Sequence, residues 1–209
     1  TSPDGTRLFY WTPAPGVWTR PGPRELMRVP TVGGPPELVL VSREPRQLEC
    51  SQGPDSLCVL AEMAGDTVVF SRVGRMGGRA GEVGRIRLRE VLANWLWSLS
   101  PDGSRIAVVE RDTIRVLDLR SHQASTVVLR NAEEVLQTGE PDDISWGPLG
   151  TGFFLTCGAV LFYVDPVGQA RKLYRADPAL FVPMASPDGR HIAFSQANGG
   201  INAWLLERH

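Results

Sequence analysis

At 209 residues and 42% apolar side chains, the chain is long enough for one sizeable domain or two small ones and can fill a packed core. Twenty-two basic against 23 acidic residues leave a formal net charge of −1, which excludes a global field that recruits nucleic acid or an anionic membrane. No apolar run approaches the roughly 20 residues of a membrane-spanning helix, and no basic-then-apolar leader opens the chain.

The chain begins on the tetrapeptide Ser2-Pro3-Asp4-Gly5, which returns as Ser100-Pro101-Asp102-Gly103 and Ser186-Pro187-Asp188-Gly189. Each copy precedes an apolar strand: Thr6-Arg7-Leu8-Phe9-Tyr10, Ser104-Arg105-Ile106-Ala107-Val108 and Arg190-His191-Ile192-Ala193-Phe194. Weaker copies fill the gaps, Gly53-Pro54-Asp55-Ser56 before Leu57-Cys58-Val59-Leu60 and Gly147-Pro148-Leu149-Gly150 before Phe153-Phe154-Leu155. The five prolines, at 3, 54, 101, 148 and 187, are spaced by 51, 47, 47 and 39 residues, the length of one propeller blade. As a turn the tetrapeptide is well made: proline presets φ, aspartate accepts backbone amides ahead of it, and glycine takes positive φ. Asp4, Asp55, Asp102 and Asp188 are therefore read as turn formers.

In chain order, the first unit predicts strands near 7–11, 25–30 and 36–42, and the second predicts 46–51, 56–63, 67–73 and 84–91. The third gives 94–100, 105–110, 113–118 and 125–130, the fourth 143–147, 152–157, 159–165 and 170–175, and the last 181–185, 191–196 and 202–207. No 3.6-residue periodicity stands out. Ile106-Ala107-Val108-Val109 and Ala159-Val160-Leu161-Phe162-Tyr163 are apolar on both strand faces, as expected where each sheet lies between two others. The fold class expected is all-β, a propeller of four-stranded antiparallel blades. It has about five units, near 1–45, 46–93, 94–142, 143–180 and 181–209. The first unit lacks an inner strand and the last a fourth strand, so a single segment of a larger ring is expected.

With its S-P-D-G turns, the chain resembles the TolB-type, WD-like family of bacterial propeller repeats. The likeness sharpens over Leu48-Glu49-Cys50-Ser51 with Leu57-Cys58-Val59-Leu60, then Val69-Phe70-Ser71, Trp95-Leu96-Trp97-Ser98-Leu99-Ser100-Pro101-Asp102-Gly103 and Asn202-Ala203-Trp204-Leu205-Leu206-Glu207. In that order these strings resemble the C-terminal propeller of acidobacterial proteins, where it is fused to a Ser/Thr kinase or a winged-helix domain. The resemblance implies a sensory or interaction domain at the end of a signalling protein, with no catalytic residue and no cofactor. Two departures stand out: Leu149 in place of the turn aspartate, and the Pro-rich insertion from Thr12 to Pro23.

Cys50 and Cys58 flank the Gly53-Pro54-Asp55 turn, so a hairpin can set them face to face. Two free thiols or half a metal site are the alternatives, and the metal is set aside because no second Cys or His pair supplies ligands. A disulfide is expected, with Cys157 left over as a buried strand residue. It would put the domain outside a reducing cytoplasm, in the bacterial periplasm.

The stretch Arg72-Val73-Gly74-Arg75-Met76-Gly77-Gly78-Arg79-Ala80-Gly81-Glu82-Val83-Gly84-Arg85 has an RNA-binding composition but no stacking aromatics. It reads as a surface loop. There is no G-x-S-x-G, H-E-x-x-H or phosphate loop, and His122, His191 and His209 have no readable nucleophile partner. Trp95, Trp97, Trp146 and Trp204 are expected to fill the space between blades, whereas Trp11 and Trp18, by the insertion, are candidates for an exposed contact. Glu140, Asp142 and Asp143 form an acidic group in the connection to a fourth-unit inner strand, a second candidate contact, with a solvated loop as the plainer reading. The expected function is a non-catalytic sensor or protein-interaction propeller, with an unknown protein or small-ligand partner, no nucleic acid and no direct membrane contact. A substrate-gating propeller of a prolyl-oligopeptidase-like hydrolase and a stand-alone periplasmic scaffold are the alternatives.

Overall fold

Two-residue loops with a positive φ at their first position set the hairpins on which the sheets are built. Gly65 (φ 66°), Arg111 (φ 54°) and Gly158 (φ 57°) occupy that position between the second and third strands of three successive sheets. Glycine is the unstrained choice there, and Arg111 adopts the conformation without that advantage. The computed structural model describes residues 1–13, 23–42, 45–51, 57–74, 76–89, 96–177, 179–186, 188–197 and 201–207, with the backbone alone for 45, 46, 197 and 201–207. The chain folds as two compact units, Thr1–Arg89 and Glu90–His209.

The first unit holds two antiparallel meanders. One is three-stranded, of β1 (Arg7–Pro13), β2 (Arg24–Pro30) and β3 (Glu37–Ser42). The other is four-stranded, of β4 (Pro45–Cys50), β5 (Cys58–Ala64), β6 (Thr67–Val73) and β7 (Arg79–Arg87). They share a core in which Leu26, Val39 and Leu40 of one sheet meet Cys58, Leu60 and Val73 of the other.

The second unit holds two four-stranded meanders and one of three. The first is β8 (Leu96–Leu99), β9 (Arg105–Glu110), β10 (Thr113–Asp118) and β11 (Ala124–Val128). The second is β12 (Pro141–Trp146), β13 (Phe153–Cys157), β14 (Val160–Val164) and β15 (Ala170–Arg175). The third is β16 (Ala179–Ala185), β17 (His191–Ala197) and β18 (Ile201–Glu207). Their first strands, β8, β12 and β16, pack side by side. The β13 strand is buried along its whole length: Phe153, Leu155 and Cys157 face the core shared with β9 and β10, and Phe154 faces the core shared with β16 and β17. A strand covered on both faces selects continuous apolar sequence over alternation, which is why the apolar runs mark the middle of the fold.

Three features depart from the sequence reading. A short helix α1 (Ala132–Leu136) joins β11 to β12 and plugs the core with Val135, and at five residues it is too brief to print a helical period. The arginine- and glycine-rich stretch is mostly strand, since β6 runs to Val73 and β7 starts at Arg79. The inner strand β12 starts at Pro141, so Asp142 and Asp143 belong to a strand and not to the loop before it. Trp18, Asp55, Trp95, His209 and the Trp204 side chain lie outside the described residues.

Candidate functional site

The three Ser-Pro-Asp-Gly turns share one hydrogen-bond plan. At the third unit the Ser100 amide donates to the Arg105 carbonyl (2.8 Å), and the Arg105 amide donates to Ser100 Oγ (2.9 Å). Ser100 Oγ in turn donates to Asp102 Oδ1 (2.6 Å), which also receives the Ser104 amide (3.1 Å). The same bonds recur at Ser2, Asp4, Thr6 and Arg7, and at Ser186, Asp188, Arg190 and His191.

Each aspartate is thereby consumed by its own turn. The Ser2 hydroxyl, then the Thr6 amide and hydroxyl, hold the Asp4 carboxyl down at about 2. The Ser186 hydroxyl and the Arg190 amide hold Asp188 below the usual carboxylate range. Burial pushes Asp102 up, but Ser100 and Ser104 outweigh it and the net direction is down. A depressed carboxyl stabilises the fold above the ordinary carboxylate range, and that contribution is lost as pH falls through the depressed value. Ser100, wholly buried, is the pivot of the best-packed copy. Ser100→Ala strands the Arg105 amide and should cost about 1–3 kcal/mol, read as a lower urea midpoint, whereas substitution at the exposed Met76 should leave the midpoint in place.

The two weaker turns keep part of this plan. In the second unit Ser51 takes the serine role, exchanging its amide with the Leu57 carbonyl (2.7 Å) and its hydroxyl with the Leu57 amide (3.0 Å) across a loop one residue longer. A serine directly after the inner strand, as in Leu99-Ser100 and Ala185-Ser186, was the signal for it. In the fourth unit Gly147 pairs with Gly152 (2.9 Å), and a Cβ on Gly147 would lie 2.3 Å from the Thr151 carbonyl. That backbone leaves no room for a serine. Leu149, exposed and at φ 55°, stands where the aspartate would be.

Cys50 and Cys58 are register partners on β4 and β5 and form a disulfide within the core of the first unit. Cys157 is a free, buried thiol, pushed up to about 12 by burial first and by the charges of Asp142 and Glu140 second. It is neither a thiolate nucleophile nor a ready metal ligand near neutral pH.

The remaining candidates are engaged by the fold. Asp142 accepts the Gly158 amide (2.5 Å), Asp143 accepts the Ile144 and Val182 amides (2.8 and 2.9 Å), and Glu140 lies 3.8 Å from Arg111. Trp11 is half-buried against the core of its unit, so only part of its ring is left for a contact. Trp97 and Trp146 are buried, Trp146 donating from Nε1 to the Ser98 carbonyl (2.9 Å) beneath the Arg105 guanidinium. His191 Nδ1 lies 3.9 Å from Asp188, and His122 sits in a turn at φ 56°. Arg79, Arg85 and Arg87 are ion-paired with Glu62, Glu82 and Asp66. Among the described residues no three His, Cys, Asp or Glu side chains gather as a metal site. No helix among them is long and apolar enough to cross a membrane, which says nothing of β-barrels.

No protein-family model matches the chain, and no curated protein matches its sequence. Solved structures do match its fold. TolB from Acinetobacter baumannii superposes with a TM-score of 0.67 at 19% identity, over 97% of this chain and 50% of that one. A provisionally assigned TolB from Agrobacterium tumefaciens gives 0.65 at 18% identity, over 99% and 74%. A provisionally assigned 6-phosphogluconolactonase from Bacteroides uniformis gives 0.60 at 14%, over 96% and 67%. The chain thus spans half the length of the A. baumannii protein. At these identities the likeness establishes the fold, a TolB-like β-propeller of antiparallel sheets, several of them four-stranded, and the fold alone.

Proposed function

We propose that the chain is a non-catalytic protein-interaction propeller, working in the periplasm as part of a bacterial signalling protein. The observation that carries this reading is that its chemically capable groups are spent on its own architecture. The described turn aspartates accept hydrogen bonds from their own hydroxyls and amides, Asp142 and Asp143 hold backbone amides, and the Cys157 thiol is buried. Such a surface recognises by shape, which suits a propeller whose specificity lies in its loops. The Cys50–Cys58 bridge supports an oxidising compartment, and the TolB-like fold agrees with that placement.

The test is affinity capture with the whole chain as bait, run in parallel on periplasmic and cytoplasmic extracts, followed by titration of the recovered protein against purified bait. A saturable complex with a periplasmic protein is the expected result. The lactonase assignment of one structural neighbour gives the enzyme alternative a concrete form. Turnover of a phosphosugar lactone or a proline-containing peptide, lost on heat denaturation, would overturn the non-catalytic reading.

A further inference from the structure

The strands β3, β7, β11 and β15 close their sheets, and each turns an edge of backbone amides and carbonyls away from its ladder. Three of these edges are covered or neutralised. On β3 the Val39 carbonyl accepts the Gly78 amide (2.7 Å) and the Val41 carbonyl lies 3.4 Å from the Arg79 guanidinium. On β7 the cations Arg79, Arg85 and Arg87 are each paired, with Glu62, Glu82 and Asp66. The β11 strand carries no charge, and just past its end the Arg130 amide donates to the Gly168 carbonyl (2.9 Å).

The β15 edge differs in two respects. Arg171, Lys172 and Arg175 are exposed, and among the described residues no carboxylate lies within ion-pair distance of any of them. Strand-like pairing has also begun on this edge. Asn131 Oδ1 accepts the Ala170 amide (2.9 Å) and Asn131 Nδ2 donates to the Ala170 carbonyl (3.0 Å), the two bonds that a neighbouring strand would make there. Backbone groups alternate in direction along a strand, so Lys172, two residues on, turns its own amide and carbonyl the same way. Among the described residues no second strand pairs with β15 beyond Ala170.

We propose that the outer edge of β15, from Ala170 to Arg175, is a docking strip for an extended, carboxylate-bearing segment of a partner protein, added as a further strand. The proposal rests on reading the chain as a protein-interaction propeller and names the chemistry of the partner. Charge decides the occupant. Lysine on an edge ordinarily keeps other sheets away, and here the same cations repel a second copy of β15 while favouring aspartate or glutamate on an incoming strand. Arg171 stands opposite Tyr163 and Lys172 opposite Phe162 in the β14–β15 ladder, so cations leave both faces of the edge. A strand with acids at successive positions meets both. Phosphate polymers and anionic bilayers match the charge but bring no alternating amides and carbonyls to the Lys172 backbone, which a peptide does.

The experiment titrates the whole chain with a capped octapeptide of valines and paired aspartates, read by calorimetry and by the β15 amide signals in NMR. Its controls are the same peptide with lysine for aspartate, and the acidic peptide N-methylated at alternate amides in each of the two phases. Saturable binding of the acidic peptide, with new protection at the Lys172 amide, is expected, and none of the lysine peptide. Methylation in one phase only should weaken binding about tenfold, because it removes the edge hydrogen bonds and keeps the charge. Arg171→Thr and Lys172→Thr should each weaken it about threefold. Arg85→Thr, on β7, should leave it in place. No saturable binding of the acidic peptide, equal affinity of the two methylated phases, or equal affinity of polyphosphate or phosphatidylglycerol vesicles for the same amides overturns the proposal in the unsubstituted protein, whether or not a variant folds. A captured periplasmic partner that still binds protein carrying Arg171→Thr, Lys172→Thr and Arg175→Thr together would remove β15 as its site while leaving the interaction reading in place.

Discussion

Phe162→Ala should remove about 3–5 kcal/mol of stability, a large part of the roughly 5–15 kcal/mol that holds an ordinary domain folded. Phe162 is wholly buried on β14, opposite Leu155 in the ladder and among Trp146, Phe153 and Val164 in the larger core of the second unit. Interiors pack at crystal-like density, and a strand held in two ladders has little freedom to slide into the space vacated by a ring. Urea unfolding followed by the fluorescence of Trp97 and Trp146, both buried in the same unit, reads the loss directly. The midpoint should fall with the slope unchanged, because the surface exposed on unfolding is nearly the same. A loss below about 1 kcal/mol would mean that the site collapses onto the hole and that the packing between these sheets is looser than described.

The legible part of this fold was punctuation and polarity. The serine, proline, aspartate and glycine of the turns act locally, through hydroxyl, fixed φ, carboxylate and positive φ. Their chemistry is therefore visible in a tetrapeptide with no knowledge of what packs nearby. Apolar runs such as Ile106–Val109, buried along its length, announce a strand covered on both sides for the same reason. What stayed hidden depended on register or on distant neighbours. The β7 strand begins at Arg79 inside a glycine-rich stretch because Glu62 and the Val41 carbonyl hold the arginine, and both are far away in sequence. Gly77 is there because a Cβ on it would lie 2.9 Å from the Val39 carbonyl oxygen and because its φ is 98°. Asp143 looked like one of three solvated carboxylates until the fold put Val182, 39 residues on, over it. The candidate site was thus legible as a list of residue types and illegible as a set of contacts.

Loss of the Cys50–Cys58 bridge is the second large expected effect. The bridge spans a separation of eight residues, and closing so short a loop in the unfolded chain is worth about 2.5 kcal/mol on the chain-entropy model. Cys50→Ala with Cys58→Ala should lower the melting temperature, and reducing agent should lower that of the unsubstituted protein by a similar amount while leaving the double variant unmoved. The damage should be local at first. Amide protection at Ser51 and Leu57, which exchange hydrogen bonds just beyond the bridge, should fall before that of β9 or β14, because these belong to another compact unit. Thiol counting under denaturing, non-reducing conditions separates the bridge from a pair of free cysteines: one reactive thiol, Cys157, is expected before reduction and three after. Three at the outset, in protein recovered from an oxidising compartment, would remove the disulfide and with it the main physical argument for a periplasmic location. The S-P-D-G turns would stand regardless, since they draw on serine hydroxyls and not on redox chemistry. The outcome therefore tests where the propeller works without disturbing the account of how it folds.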